Sequence, residues 1–217
     1  MRLHCIHISR HAALTVLLGL SFFVAGCASV PPEQFYTLTG GVAAVDAAGD
    51  AATVAPVVPM YVEIGPVSVP LQVSRTQLVV RSDSDSGVNI LEQQRWAGPL
   101  AGEIGQALSL GITSRVGAID VYRTPYPEKI AVYRVSTNVQ RFESAPGQYA
   151  LIDAVWSVRP PGNGTVLTCR TVARESVGTG TDALVTGHRR AVGQIAAGIA
   201  GVIRRMAGGM TTGCPAA

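Results

Sequence analysis

Residues 149–158 read YALIDAVWSV, and apolar side chains occupy every even position of this stretch. A period of two is typical of a β-strand that buries one face and leaves the other toward water. Alternation also occurs in IAVYRVSTNVQRF (130–142) and in TVLTCRTVAR (165–174). The connections between these stretches, SAPG and PPGNG, are short and rich in turn residues. The sequence therefore predicts an antiparallel three-stranded meander over 130–174.

Two amphipathic helices are predicted on either side of this meander. In residues 99–115 apolar side chains recur at three- and four-residue spacing, Pro99 suits a first helical turn, and Gly117 follows the last turn. Residues 182–206 carry a similar apolar stripe, which includes His188. A sheet that buries one face against helices is the simplest arrangement of these elements. We therefore expect an α+β fold, a mainly antiparallel β-sheet with two long helices packed on one face.

Shorter strands are predicted before the meander, at 33–39, 61–67 and 118–122, and a hairpin is predicted from 77–81 and 88–91. The hairpin loop SDSDSG contains Asp83, Asp85 and Gly87. Aspartates in a loop can bind calcium, but this loop is too short for an EF-hand and lacks its distal glutamate. We interpret it as a solvated turn.

Glycines mark two further features of the second helix. The loop Gly178-Thr179-Gly180-Thr181 precedes it, but lacks the lysine of a phosphate-binding P-loop and the third glycine of a dinucleotide fingerprint. We expect the helix to be capped by Thr181 or Asp182. Small residues at four-residue spacing follow on the helix and favour tight packing on the sheet, with a helix interface between subunits as the alternative; they are Gly193, Ala197 and Gly201.

The amino-terminal region has the pattern of a lipoprotein leader. Residues 14–27 read LTVLLGLSFFVAGC, and the only charged residues before them are Arg2 and Arg10. The apolar run is shorter than the roughly 18 residues that a spanning helix needs. The residues VAGC (24–27) resemble the bacterial lipobox, in which the cysteine thiol receives a diacylglyceryl group before the leader is cleaved. We expect Cys27 to be the lipidated first residue of the mature protein.

These patterns divide the chain into three regions. Residues 1–26 are the predicted signal peptide. Residues 27–59 comprise the lipidated N-terminus, the first strand and a flexible Ala/Gly/Val-rich loop that begins at Gly40. Residues 60–217 form the predicted single α/β domain, whose length suits one hydrophobic core.

Composition limits the classes of partner. Cleavage of the leader would remove Arg2 and Arg10 and leave 15 basic and 14 acidic side chains, a net charge of +1. This near-neutral balance argues against a nucleic-acid partner. Charged residues make up 14 % of the chain and hydrophobic ones 47 %, so a sizeable core and some surface buried against partners are both expected.

The cysteines leave two alternatives open. Cys5 would be lost with the leader and Cys27 acylated, so Cys169 and Cys214 remain. In an oxidising periplasm they can form a disulfide. Alternatively, Cys169 is a buried strand residue and Cys214 lies in a loose tail. The chain has no C-x-x-C or Cys/His cluster, so we expect no metal and no cofactor.

The predicted mature chain shows no catalytic arrangement. His188 is its only histidine, the carboxylates are scattered, and no G-x-S-x-G is present. Because His188 lies on an apolar stripe, we interpret it as a core or interface residue. The sequence favours a protein that is not an enzyme.

Four segments, in this order, resemble the PqiC-like ABC-type transport auxiliary lipoproteins. They are PPEQFYTL (31–38), VEIGPVSVPLQVSRTQLVVR (62–81), QRWAGPL (94–100) and YRVSTNVQRFESAPGQYALIDAVW (133–156). The resemblance extends from about residue 31 to residue 206. This chain departs from the family pattern at Leu71-Gln72-Val73-Ser74 and in a longer insert over 40–59.

The resemblance implies an outer-membrane lipoprotein that works with an MCE-domain protein and associated ABC transporter components to move phospholipid or another hydrophobic molecule. Ala28 fits outer-membrane sorting, since inner-membrane retention usually calls for Asp at this position. Relatives form rings, so a homo-oligomeric ring is expected here. Two other readings remain: a periplasmic lipid carrier, which predicts a continuous apolar cavity, and a structural envelope lipoprotein without a transport role.

Overall fold

The computed structural model describes residues 31–40, 60–82, 86–211 and 213–215. The described residues form eight strands and two long helices, together with a short 3-10 helix at Leu71–Val73. The strands are β1 (Gln34–Tyr36), β2 (Met60–Ile64), β3 (Gln77–Arg81), β4 (Val88–Trp96), β5 (Ala118–Asp120), β6 (Val132–Ala145), β7 (Tyr149–Arg159) and β8 (Leu167–Ser176). The helices are α1 (Leu100–Val116) and α2 (Thr181–Ala207).

The strands form two sheets, and both sheets are mixed. One has the order β1-β4-β3 and the other the order β5-β2-β6-β7-β8. β1 runs parallel to β4, and β2 runs parallel to both β5 and β6. The α+β class is confirmed, but the sheets are not purely antiparallel as the meander and hairpin suggested. Long connections separate the parallel partners along the chain, and such connections allow parallel pairing that a tight turn forbids.

The predicted meander is present as β6, β7 and β8, paired antiparallel. The register places Val135 opposite Val158, and Thr137 opposite Trp156, which in turn lies opposite Cys169. These side chains lie on the inner face of the sheet, toward the helices, and Trp156 is 1 % exposed. The period-two pattern thus identified the buried face of the sheet.

The predicted hairpin is β3 and β4. β3 has the predicted bounds, but β4 continues beyond Leu91 to Trp96. The register shifts between Gln77 and Leu78, which is a β-bulge. Trp96 is 2 % exposed and packs edge-on against Phe142, so core packing explains the longer strand. Asp83 and Asp85 lie outside the described residues.

Both helices lie near their predicted positions. α1 begins directly after Pro99 and ends at Gly117, whose φ of 64° is in the left-handed region that glycine adopts without strain. α2 buries an apolar stripe against the inner face of β7 and β8 and also packs against α1. Neither described helix has the length and apolar character needed to cross a bilayer.

The expected packing of the small residues of α2 on the sheet is wrong. An added Cβ at Gly193 would meet no atom within 4 Å, and Ala197 is exposed, so the predicted small-residue stripe does not pack on the sheet. Close packing occurs instead at Gly187, where an added Cβ would clash with Val177 and Ala150. The helix turns Gly193 and Ala197 away from the sheet because the bulkier apolar stripe occupies the buried side.

Candidate functional site: the N-terminal clamp

The segment that follows the predicted lipidation site is bound firmly to the folded body. β1 pairs with the end of β4, and the Ala97 amide donates to the Tyr36 carbonyl at 2.7 Å. Leu38 is fully buried in the core. Phe35, in contrast, is 62 % exposed, because alternate residues of a strand point to opposite faces.

Glu103 holds this segment from the first turn of α1. Its carboxylate Oε2 accepts a hydrogen bond from Thr37 Oγ1 at 2.7 Å and one from the Leu38 amide at 2.9 Å. The side chain is only 7 % exposed, and the helix N-terminus favours negative charge there. Burial of a carboxylate is costly unless hydrogen bonds replace those from water, and these two donors supply that replacement.

Arg189 holds the same segment from α2. Its Nε and Nη2 atoms donate to the Thr37 carbonyl oxygen at 3.0 and 2.8 Å. Thr37 therefore bridges the two helices, with its hydroxyl on α1 and its carbonyl on α2. We call Thr37, Leu38, Glu103 and Arg189 the N-terminal clamp. These four residues come from three distant parts of the sequence, so the clamp forms only when the body is folded.

Weaker contacts surround the clamp. Glu33 pairs with Arg95 at 3.0 Å, but exposed ion pairs of this kind add little stability. The Tyr36 hydroxyl donates to Gln34 Oε1 at 2.8 Å. Burial, followed by the negative charge of Asp182, raises the pKa of Tyr36 above its ordinary value. The tyrosine therefore stays neutral and acts as a hydrogen-bonding group.

His188 lies in the core beside the clamp, one residue before Arg189. It is 1 % exposed, stacks on the Phe142 ring with centroids 4.0 Å apart, and meets Trp96 edge-on. Its Nε2 is 2.8 Å from Ser144 Oγ, while Nδ1 has no partner among the described residues. Burial lowers its pKa to about 3. The predicted core position is correct, and the ring is neutral at physiological pH.

The C-terminal segment is fastened differently. Cys169 on β8 and Cys214 form a disulfide, which is the first of the two alternatives that the sequence left open. Pro215 lies next to Gly198 of α2, where an added Cβ would be 3.3 Å from Pro215 Cγ. The described residues 213–215 therefore lie against β8 and α2.

Other predicted features have different outcomes. Cys27, Ala28 and the predicted signal peptide lie outside the described residues, as does most of the loop that begins at Gly40. The predicted side-chain cap of α2 is wrong, because Gly180 is at the N-cap position and no side chain caps the helix. Gly180 has a φ of 88°, a conformation that a residue with a side chain rarely adopts.

Neither charged member of the clamp was predicted from the sequence. Glu103 had a detectable signal, since it lies on the buried stripe of α1 between Leu100 and Ala107. A charged residue on an apolar stripe predicts a buried partner. Arg189 had no such signal, because it lies beside the stripe of α2, where arginine is ordinary. Among the described residues no group of His, Cys, Asp or Glu side chains is placed to hold a metal ion.

A family model described as "ABC-type transport auxiliary lipoprotein component" matches residues 36–200. No curated protein matches the chain. An uncharacterised protein of known crystal structure aligns with a TM-score of 0.60 and 18 % identity, over 79 % of this chain and 99 % of that one. A Xanthomonas campestris protein of the DUF330 family aligns with a TM-score of 0.52 and 16 % identity, over 71 % of this chain and 87 % of that one. At such identities the two crystal structures support the fold alone.

Proposed function

Since the chain belongs to the family of ABC-type transport auxiliary lipoprotein components, we propose that it is an accessory subunit of an MCE/ABC-type system that moves lipid or another hydrophobic molecule between membranes. The protein acts by docking or scaffolding and not by catalysis. The family match over residues 36–200 is the observation that carries this proposal.

The N-terminal clamp supports a role at a membrane surface. In this proposal Cys27 carries the acyl chains, and several chains on one residue make an anchor effectively permanent. The six residue-to-residue steps from Cys27 to Glu33 span at most about 20 Å when the chain is fully extended. The clamp then joins this short tether to both helices through Thr37. A body held in this way stays close to the membrane and resists displacement when a partner binds.

The packed core favours docking over lipid carriage. A carrier needs an apolar cavity that encloses most of its ligand. Among the described residues, large side chains instead fill the space between the inner face of the sheet and the helices. They include Trp156, Ile152 and Ile195, each no more than 2 % exposed. The protein is therefore suited to present surfaces to a partner.

The partner is tested by crosslinking in intact envelopes followed by capture of the full-length protein. We expect an MCE-domain protein in the captured material, and native mass spectrometry of the same material is expected to show a homo-oligomeric ring. Recovery of the protein without any transport component would favour the structural envelope lipoprotein. Co-purification of stoichiometric lipid with a monomer would favour the carrier.

The anchor is tested by mass analysis of protein extracted from envelopes. We expect an N-terminus at Cys27 that carries acyl chains, and an uncleaved, unlipidated chain in a Cys27→Ala variant. Density-gradient separation of the two membranes tests the outer-membrane location. Ala28→Asp should move the protein to the inner membrane, whereas the matched Ala28→Ser variant should leave its location unchanged. An unlipidated N-terminus in the wild type would refute the proposal of a lipid-anchored subunit.

A further inference from the structure

The outer face of the meander, which points away from the helices, is rich in arginine. The register places five arginines on this face of β6–β8, and only two acidic residues. The arginines are Arg134, Arg141, Arg159, Arg170 and Arg174, and the acids are Glu143 and Asp153. Glu63 of the adjacent strand β2 lies opposite Arg134 on the same face, so five arginines face three acids, and the excess of two positive charges still exceeds the net charge of +1 expected for the whole mature chain. An anionic group is therefore the ligand chemistry that complements this face.

A row of hydroxyl groups crosses this face. Ser136, Ser157 and Thr168 lie opposite one another on β6, β7 and β8. They line a shallow depression of about 360 Å³, together with Asn138 and Ser68. This volume lies at the small end of the range for ligand pockets, about 300–1,000 Å³. This volume is sufficient for a phosphate-sized group.

The hydroxyls of this row are open to solvent, since Ser136 and Thr168 are exposed and Ser157 is half-buried. Among the described residues, the hydroxyls of Ser136, Ser157 and Thr168 make no hydrogen bond to another group. Hydroxyls elsewhere in the fold do, for example Ser109 to Asp120 at 2.7 Å. The row thus presents several donors to whatever enters the depression.

Arginine residues lie on both sides of the hydroxyl row along the strands. Arg134 and Arg159 lie opposite each other on β6 and β7. They are two residues, or about 7 Å, along the strands from Ser136 and Ser157. On the other side Arg170 follows Thr168 on β8. Like charges directly opposite each other in a sheet are unfavourable, but Glu63 on β2 already offsets the charge of Arg134, which leaves Arg159 as the unneutralised member of the pair.

The arginines differ in what already binds them. Arg170 donates to both carboxylate oxygens of Asp153, at 2.8 and 2.6 Å, and these bonds hold the pKa of Asp153 below its ordinary value. Arg134 donates to Glu63 at 2.9 Å. Arg159 is exposed and makes no ion pair or hydrogen bond with the described residues. Arg159 does not itself line the depression, but it follows the lining residue Ser157 by two positions on the same face of β7, so a ligand at that end lies within reach of its long side chain.

From this arrangement we propose that the depression binds a phosphate group, held by the hydroxyls of Ser136, Ser157 and Thr168 and by the guanidinium of Arg159. Phosphate oxygens accept several hydrogen bonds at once, and guanidinium donors match their geometry. The source is either inorganic phosphate or the headgroup of a phospholipid. This proposal does not depend on the proposed transport role.

Titration calorimetry of the full-length protein in a nonionic detergent tests the proposal. Two probes distinguish the sources: inorganic phosphate, and glycerophosphoglycerol, which is a lipid headgroup without acyl chains. The titrations are done at physiological salt, which screens charges more than about 8 Å from the bound probe. The test variants are Arg159→Gln and Ser157→Val. Arg174→Gln is the matched control, because it removes the same charge from the same face of the sheet. Arg174 lies three same-face positions beyond Thr168 on β8, and its guanidinium contacts the Tyr149 ring.

We expect at least one probe to bind, and the dissociation constant to rise about tenfold in Arg159→Gln and several-fold in Ser157→Val. In Arg174→Gln the constant should change by less than about twofold. Tighter binding of inorganic phosphate would identify the free ion as the ligand, and tighter binding of glycerophosphoglycerol would identify the lipid headgroup. Absence of binding by both probes, or equal weakening in the Arg159 and Arg174 variants, would overturn the proposal. Thermal unfolding of each variant checks that the fold is intact.

Discussion

The two ends of the described body are attached to it by different kinds of bond. The N-terminal segment is held by hydrogen bonds that Thr37 and Leu38 donate to Glu103 and by those that the Thr37 carbonyl accepts from Arg189. The C-terminal segment is held by a covalent bond between Cys169 and Cys214. The first attachment depends on charged side chains and on the relative position of two helices. The second depends on redox conditions.

This difference bears on how each end fails. A disulfide stabilises mainly by restricting the unfolded chain, so its loss affects the whole domain. The clamp stabilises the N-terminal segment by supplying hydrogen-bond partners to buried polar groups. Loss of one partner leaves a buried group unsatisfied and therefore destabilises this segment first. We therefore expect reduction to lower global stability and clamp mutations to loosen the N-terminal segment preferentially. Three measurements separate these behaviours.

The largest effect is expected at the C-terminal end. Cys214→Ala should lower the free energy of unfolding by about 4 kcal/mol, because the disulfide closes a loop of 45 residues in the unfolded chain. Denaturant titration of the oxidised protein measures this change. Wild-type protein treated with reductant should match the variant.

Two comparisons make this prediction specific. Reductant should not alter the stability of the Cys214→Ala variant further. Hydrogen exchange at the Leu38 amide, which belongs to the clamp, should change only as much as global stability changes. A wild-type protein whose stability is insensitive to reductant would show that the thiols are unpaired in solution.

A smaller effect is expected from pH, near the N-terminal clamp. The pKa of His188 is about 3 in the folded protein and about 6.5 in the unfolded chain. The unfolded state therefore binds more protons between these values, and stability is fully present above pH 6.5 and falls as the pH decreases toward 3. At pH 4.5 the loss from this residue should be about 3 kcal/mol relative to pH 7. Denaturant titrations at a series of pH values measure the slope.

His188→Gln is the variant that isolates this contribution. Its side chain does not titrate and can still bond to Ser144, so its stability should depend less on pH over the same range. The carboxylates titrate equally in both proteins. The difference between the two slopes of stability against pH therefore comes from His188. Parallel curves for the two proteins would contradict the assigned low pKa.

The smallest effect is expected from Glu103. Glu103→Leu leaves the Leu38 amide and the Thr37 hydroxyl without their acceptor, and should lower the free energy of unfolding by about 2 kcal/mol. Hydrogen exchange at the Leu38 amide should accelerate by more than this global change explains.

Glu103→Gln is the matched control, since its amide oxygen can still accept from the Leu38 amide. It should restore most of the protection. Arg189→Lys, which retains the charge but loses the two hydrogen bonds that converge on the Thr37 carbonyl oxygen, should have an intermediate effect. Unchanged protection at Leu38 in Glu103→Leu would show that β1 pairing, and not the clamp, holds the N-terminal segment.

Much of the fold was predictable from local patterns. Alternation identified the three strands of the meander and the buried face that contains Trp156, and the three- and four-residue spacing located both helices. Gly117 marked the end of α1 because a left-handed residue is needed there. These features depend on residues that are close in sequence, where steric limits and solvent exposure act directly.

The mixed pairing and the clamp were not predictable in this way. Periodicity shows which face of β1 or β2 is buried, but not which strand lies beside it. Glu103 broke an apolar stripe and thus indicated a buried partner without naming it. Thr37 and Arg189 are separated by 152 residues, and no pattern links them.

The amino-acid sequence by itself determined the order of the elements, their buried faces and the resemblance to a lipoprotein family, because these follow from short-range periodicity and motif order. Only the tertiary structure decided that β1 and β2 pair in parallel, that Cys169 meets Cys214, and that Thr37 joins both helices. These contacts connect groups far apart along the chain, and their geometry exists only after the hydrophobic core brings the elements together.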